Sequence, residues 1–278
     1  MDEITVRVPA TSANLGPGFD CLGVALGYYN EARLRRGEPG SPDVMIDAAA
    51  AAFFSTAAIR PFPFSWEITG DIPRSRGLGS SVAVRLGILH GLNSLAGRQL
   101  GAEELYRLCT RLEGHPDNAA PAAFGGFTVA RPDSVYFRCE VSPALHFILL
   151  VPADEVETDA SRVQLPRAIP HADAVRNTAN ASLITAAFAS GHYELLRGSM
   201  QDWLHEPYRA AANPHVRPAV EAGIAAGALG GYLSGSGSSV ACLALEDPER
   251  VATAMQSVLP AARTLILHAD NTGVTVGD

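Results

Sequence analysis

Lysine is missing from this 278-residue chain: all 21 basic residues are arginine. That excludes a G-x-x-x-x-G-K-[ST] phosphate loop, a Schiff-base lysine and a lysine that activates a substrate hydroxyl. If the chain handles phosphate, it must use backbone N–H groups, arginine and a metal. Positive charge as a whole is short. The 29 acidic residues leave a net charge of -8, which argues against a nucleic-acid surface or an anionic membrane as the main partner. Cysteine is scarce too. Cys21, Cys109, Cys139 and Cys242 are scattered, form no C-x-x-C metal or redox pattern, and read as buried free thiols. Long hydrophobic runs are absent; the densest, Phe147 to Val151, is strand-sized and far from the ~18 residues of a membrane span. Met1-Asp2-Glu3 lacks the basic-then-apolar opening of a signal peptide. A cytosolic enzyme or binding protein fits, with neither nucleic acid nor membrane as partner.

What is present is a well-patterned globular sequence, 47% apolar and 18% charged, long enough for two domains. Alternation predicts a strand over Ile4–Val8, with further strands over Leu22–Leu26, Glu31–Leu34, Phe64–Thr69 and Thr128–Ala130. Helical spacing predicts helices over Val44–Ala58, Val82–Leu95 and Ala102–Glu113. The texture changes near His146, which places a domain boundary between residues 1–145 and 146–278. The second half opens with the strand Phe147–Val151 and a loop from Glu157 to Pro170. Helices over Asp173–Ser190, Tyr193–Trp203 and Val216–Gly227 follow. It closes with strand Val240–Leu245, helix Pro248–Leu259 and strand Thr264–His268. Strands and helices mixed in both halves imply an α+β protein.

Four stretches exceed what turns require. Pro73-Arg74-Ser75-Arg76-Gly77-Leu78-Gly79-Ser80-Ser81 runs straight into the helix beginning at Val82. A glycine loop feeding a helix N-terminus gathers unpaired N–H groups and the positive end of the helix dipole, which makes an anion site as readily as a plain helix cap. Pro9 to Asp20 holds Asn14 and Asp20 among small hydroxyl residues and glycines. Glu113-Gly114-His115-Pro116-Asp117-Asn118 sets a carboxylate at a helix end, then an imidazole, a second carboxylate and an amide. Taken alone, His115 and Asp117 could equally cap the helix and its turn; a zinc site fails because no other His or Cys stands at ligand spacing. Gly231 to Ser239 interleaves glycine and serine between apolar segments, the texture of a packed loop that approaches a backbone or a ligand.

In this order the four motifs resemble the galactokinase, homoserine kinase, mevalonate kinase and phosphomevalonate kinase superfamily, and within it the homoserine kinases. The resemblance rests on Val8 to Asp20, on Gly114 to Pro121 with Phe124-Gly125-Gly126-Phe127, on Ser234-Gly235-Ser236-Gly237 and on the glycine loop. It implies a ribosomal-protein-S5-like N-terminal domain, a ferredoxin-like C-terminal domain and an active site in the cleft between them. It also implies ATP-dependent phosphorylation of the side-chain hydroxyl of L-homoserine, a step of threonine biosynthesis, and a homodimer is common among relatives. By resemblance Pro73, Arg74, Ser75, Arg76, Gly77, Leu78, Gly79, Ser80, Ser81, Val82 and Ala83 wrap the triphosphate, while Ser80 or Ser81 and Glu113 hold Mg2+. Asn14, Asp20, His115, Asp117, Asn118, Thr158, Arg162 and Arg209 line the acceptor pocket. Arg162 and Arg209 are its carboxylate clamp, because a planar guanidinium bonds both oxygens, and Asp20 is the ammonium partner. Asp117, Asp20 and Arg209 are the catalytic candidates, with Asp117 first and Asp20 second should a base exist.

The sequence departs from that pattern between Glu31 and Pro63, which is short for the family. Asp43 to Asp47 is the nearest counterpart of the adenine-side helix start, without a clear asparagine. Arg74 and Arg76 stand beside the glycines either as phosphate charge or as solvated groups. Two other functions remain open: a kinase of the same superfamily acting on L-threonine or another small hydroxy acid, and a non-catalytic ligand sensor on the same fold.

Overall fold

The structure, a computed structural model, describes residues 2–153 and 162–277. Its first sheet is built on two long antiparallel strands, β1 (Glu3–Ala13) and β2 (Leu22–Arg36). Around them lie β3 (Phe64–Gly70), β4 (Phe127–Ala130), β5 (Tyr136–Cys139) and the C-terminal β10 (Thr275–Gly277), in the order β10-β1-β2-β4-β5 with β3 also on β2. The predicted strand Ile4–Val8 extends to Ala13. Ala10, Thr11, Ser12 and Ala13 are small, and all four are buried; the Thr11 N–H donates to Leu78 O and the Ser12 hydroxyl bonds that of Ser234. A segment expected to loop out is therefore held extended between the glycine loops. The two strands predicted over Leu22–Leu34 are one, bent where the register shifts opposite Pro9/Ala10. At that bend Gly27 N–H donates to His268 O, and Asp270 N–H donates to Ala25 O. The C-terminal segment thus fills the gap that β3 and β4 leave on the edge of β2.

Helices cover one face of this sheet. They are α1 (Val44–Thr56), α2 (Ser80–Leu95), α3 (Ala102–Glu113) and α4 (Ala119–Phe124). The second sheet contains β6 (His146–Val151), β7 (Gly230–Leu233), β8 (Val240–Ala244) and β9 (Arg263–Leu267), all antiparallel, in the order β7-β8-β6-β9. Strand β6 is apolar from Phe147 to Val151 because both its faces are covered there. Phe147, Leu149 and Val151 point into the main core, and Ile148 and Leu150 point into a second core. That second core lies under α7 (Val216–Ala225) and α8 (Pro248–Val258). Helix α5 (His171–Ser190) joins the halves: its Phe188 stacks on Phe127 of β4 with ring centroids 4.2 Å apart.

Two local expectations change. The helix predicted over Tyr193–Trp203 is only a 3-10 turn at Tyr193–Leu196, ended by Arg197 in the extended region, and Gly198 follows with a positive φ of 75°. The loop Gly231–Ser239 begins inside β7, so only its second half is irregular. A four-residue α6 (Glu206–Arg209) was not anticipated. The predicted loop Glu157–Pro170 lies partly outside the described residues. All four cysteines are free, Cys109 and Cys242 buried and Cys21 and Cys139 half-buried. No helix among the described residues is long and apolar enough to cross a membrane.

Candidate active site

The four motifs meet at one cleft of about 820 Å³, within the range of small-molecule sites. At one end is the glycine loop. Gly79 caps α2 with a φ of 68°, and no side chain caps that helix, so the first-turn N–H groups of α2 face the opening. The loop can reach this position only without side chains. A Cβ on Gly77 would stand 2.0 Å from Ser234 O, and one on Gly79 would stand 2.0 Å from Thr11 Oγ1. Ser234 Oγ donates to Gly77 O at 2.7 Å, Gly235 N–H donates to Ala13 O at 3.2 Å, and Asn14 Nδ2 donates to Gly235 O at 2.9 Å. Three segments from far apart in the chain therefore hold one another's backbone. Arg74 lines the cleft. Arg76 is half-buried and also lines the cleft; it donates to the carbonyls of Arg74, Pro152 and Ala153 and ties the loop to the end of β6.

Behind the loop, Ser81 Oγ donates to Glu113 Oε2 at 3.0 Å, and Arg85 is ion-paired with Glu113 Oε1. Glu113 ends α3, and Gly114 stops that helix in the left-handed conformation with a φ of 86°. The chain then turns through His115, Pro116 and Asp117 into α4. His115 Nδ1 lies 2.6 Å from Asp117 Oδ1, which also accepts from Asn118 N–H at 2.8 Å and from Asn118 Nδ2 at 3.2 Å. Burial disfavours the charged imidazolium of His115, but the bonded Asp117 carboxylate outweighs it, and the net shift is upward. Among the described residues, nothing donates to the second oxygen of Asp117.

The other end of the cleft carries opposite charges. Arg162 grips Asp20 with both amino groups, at 2.9 and 2.6 Å. Arg209 is only 2% exposed. Its Nη1 donates to Gly235 O and to His205 Nδ1, each at 3.1 Å, and its Nε is buried without a partner. It has no ion-pair partner among the described residues. Burial, and after it the Arg162 charge, lowers its pKa below the ordinary guanidinium value. Both guanidinium carbons lie 5.4 Å from the centre of the Phe19 ring. Asp20, His115 and Asp117 also come within 4.8 Å of one another, a cluster the chain spacing did not reveal; Arg162 already neutralises Asp20 there. The Cys21 thiol beside them is pushed up to about 11 by burial, then by Asp117 and Asp20, and stays protonated.

Of the predicted site residues, Asn14, Asp20, Arg74 to Ser81, Glu113, His115, Asp117, Asn118, Arg162 and Arg209 all line this cleft. Pro73, Val82 and Ala83 do not; the last two are buried in the core beneath the loop. Thr158 lies outside the described residues. Asp43 is the N-cap of α1, accepting from Met45 N–H and Ile46 N–H. Met45, Ile46, Trp66 and Ile68 add an apolar wall that sequence reasoning missed. It also missed Arg85, although the i, i+4 spacing from Ser81 on α2 puts both on one helix face, and it missed Phe19 and His205.

Comparison with known proteins places the chain in a family. Residues 45–126 match the GHMP kinases N terminal domain, and residues 184–261 match GHMP kinases C terminal. The homoserine kinase of Clostridium beijerinckii is 38% identical over 293 residues, covering 98% of each chain. That of Thermus thermophilus is 38% identical over 281 residues, covering 96% of each. The crystal structure of homoserine kinase from Cytophaga hutchinsonii superposes with a TM-score of 0.91 at 27% identity, covering 100% of this chain and 98% of that one. A mevalonate kinase structure at 14% identity and TM-score 0.73 shares the fold. The chain belongs to the GHMP kinase family, in its homoserine kinase branch.

Proposed function

We propose that this protein transfers the γ-phosphoryl group of ATP to the side-chain hydroxyl of L-homoserine, giving O-phospho-L-homoserine. The observation that carries the reading is the pairing of two unlike ends in one cleft. A backbone anion site faces a set of charges spaced for a zwitterion. The first-turn N–H groups of α2 and the positive end of its dipole receive the phosphates. The wall of Met45, Ile46, Trp66 and Ile68 offers the base an apolar face where the family pattern is abbreviated. Five arginines and four carboxylates line the cleft of a chain whose net charge is -8, so the cleft is less negative than the chain as a whole.

The Asp20–Arg162 pair is about one-third exposed on each side, so opening it costs little. An α-amino acid entering there replaces each partner with its own complementary group, ammonium on Asp20 and carboxylate on Arg162. The buried guanidinium of Arg209, with no carboxylate partner among the described residues, is the second clamp on that carboxylate. Asn14, His115 and Asn118 complete the polar wall, and Asp117 presents its unengaged oxygen to the hydroxyl. Phosphoryl transfer asks mainly for positioning and charge neutralisation, which suits a site without lysine. Ser80, Ser81 and Glu113 offer the hard oxygen donors that Mg2+ requires; they sit at the phosphate end, and the metal would supply neutralisation of phosphate charge. Arg85 holds Glu113 in place there.

The antiparallel order β7-β8-β6-β9 under two helices supports a ferredoxin-like C-terminal unit from residue 146, packed against an S5-like unit over 1–145. ADP release measured with homoserine, with threonine and with no acceptor tests the assignment. Turnover on homoserine tens of times above threonine is the expected result. Equal rates on both substrates, or no acceptor-dependent ADP, would overturn it.

A further inference from the structure

His205 is fully buried at the start of α6 and its ring touches Gly16, Phe19 and Arg209 at the acceptor end. Its Nε2 lies 2.9 Å from Gly16 O. A carbonyl oxygen only accepts, so Nε2 carries the hydrogen. A neutral imidazole has one N–H, which leaves Nδ1 as a bare lone pair. Facing that lone pair at 3.1 Å is Nη1 of Arg209. The second hydrogen of Nη1 goes to Gly235 O, also at 3.1 Å. With both hydrogens of Nη1 engaged, no described residue accepts from Nε or Nη2, the two nitrogens that form the side-on fork of a guanidinium. The ring itself is held flat against Phe19, with centroids 5.2 Å apart.

We infer that His205 is the positioning residue of Arg209: its neutral imidazole, fixed by Gly16 and Phe19, holds Nη1 so that the remaining fork meets the carboxylate of the amino-acid acceptor. This rests on the reading under Proposed function. Protonation would place an N–H on Nδ1 against a guanidinium, trading a hydrogen bond for a contact between like charges. The surroundings resist that protonation. Burial is the largest influence and lowers the His205 pKa, the Arg209 charge acts in the same direction, and Asp202 and Asp20 oppose it. Asp202 Oδ2 stands 3.7 Å from Nε2, but it is already engaged by the N–H groups of His205 and Glu206, and its other oxygen by Leu204 N–H. Glu206, next in the chain, turns its carboxyl to Leu233 N–H.

The consequence is a selective dependence on pH. Acceptor affinity falls when His205 takes a proton, on the acid side of the ordinary histidine range, whereas nucleotide affinity does not follow it. Three measurements on the full chain test this. In a 15N-histidine spectrum at pH 7, His205 should show the Nε2–H tautomer; an Nδ1–H tautomer or an imidazolium overturns the inference without reference to any substrate. In steady-state kinetics, His205→Leu should raise the homoserine KM at least tenfold with the ATP KM unchanged. His205→Asn, which keeps an acceptor and cannot titrate, should restore most of that KM and lose the acid-side rise seen in the parent protein. Unchanged homoserine KM in His205→Leu, equal loss toward both substrates, or an identical acid limb in His205→Asn would overturn it. A parent protein that neither binds nor phosphorylates homoserine overturns the functional reading, and this inference with it, and the spectrum then still reports whether the tautomer was read correctly.

Discussion

At one end of the cleft the chain presents backbone, and at the other it presents side chains. The phosphate end is made by glycines 77 and 79 packing onto the loop at Ser234 and onto Thr11, and its charge comes from a helix start. The acceptor end is made by Asp20, Arg162, Arg209, His115 and Asp117, brought from four separate parts of the sequence and set by hydrogen bonds between side chains. The first construction is closely packed, and on the proposed reading it receives the phosphate chain. On the same reading the second sets spacing and sign for the acceptor. Substitutions at the two ends should therefore fail differently.

The largest effect is expected at the backbone end. Gly77→Ala forces a Cβ to within 2.0 Å of Ser234 O at a φ of 70°, a conflict costing on the order of 3 kcal/mol or more through strain and displaced backbone. ATP affinity and the thermal midpoint should fall together. Gly114→Ala shares a positive φ, 86°, but has open space around it, so it should cost only about 1–2 kcal/mol and leave ATP binding intact. Equal behaviour of the two variants would show that close packing is not what makes the phosphate end.

Asp117→Asn probes whether the acceptor end contains a base. Loss of a general base costs at least ~100-fold in rate; with charge neutralisation as the main device, kcat should fall by less than that. A larger fall with homoserine KM unchanged would make Asp117 the base. Arg162→Ala should be milder still, because its partner Asp20 is partly exposed. Losing one charged hydrogen-bonding group costs about 1.5–3 kcal/mol, read as a tenfold or greater rise in homoserine KM with the ATP KM unmoved.

The last effect appears only with pH. Glu206 is half-buried as a residue, but its carboxyl turns inward to Leu233 N–H, and burial pushes its pKa from 4.5 up to about 8. The unfolded chain releases this proton near 4.5, whereas the folded chain holds it. Stability from this group is therefore present at low pH and is lost as pH rises from about 4.5 through about 8. Glu206→Gln keeps an acceptor for Leu233 and cannot ionise. Its melting temperature should gain on the parent protein toward pH 8 and show no gain near pH 4.5. A gap independent of pH would contradict a protonated Glu206.

The contrast between the two ends also explains what could be read from sequence. The α2 helix, the glycine loop before it and the strand Phe147–Val151 were legible because local pattern determines them: glycine spacing, helical periodicity, an unbroken apolar run. The extension of β1 through Ala13 was not, because it depends on partners at Leu78 and Ser234 that only the fold supplies. The early end of the helix after Tyr193, where Arg197 turns extended, was missed although Gly198 beside it is a local breaker. At the site, Asn14, Asp20, His115, Asp117, Asn118, Arg162 and Arg209 were named through motif resemblance, and they converge on one cleft. Arg85, Trp66 and His205 belong to no such motif. Each owes its place to packing across elements: Arg85 through Glu113, Trp66 through the β2–β3 pair, and His205 through Gly16.

The account stands most directly on Arg209, a buried guanidinium without a carboxylate partner among the described residues. Titration calorimetry of Arg209→Ala with L-homoserine and, separately, with ATP isolates it. Removing one partner of a buried charge pair costs about 2–5 kcal/mol, so homoserine affinity should fall at least about 30-fold while ATP affinity stays within error of the parent protein. If both affinities fall together, or if homoserine still binds as tightly, the two ends are not built as described.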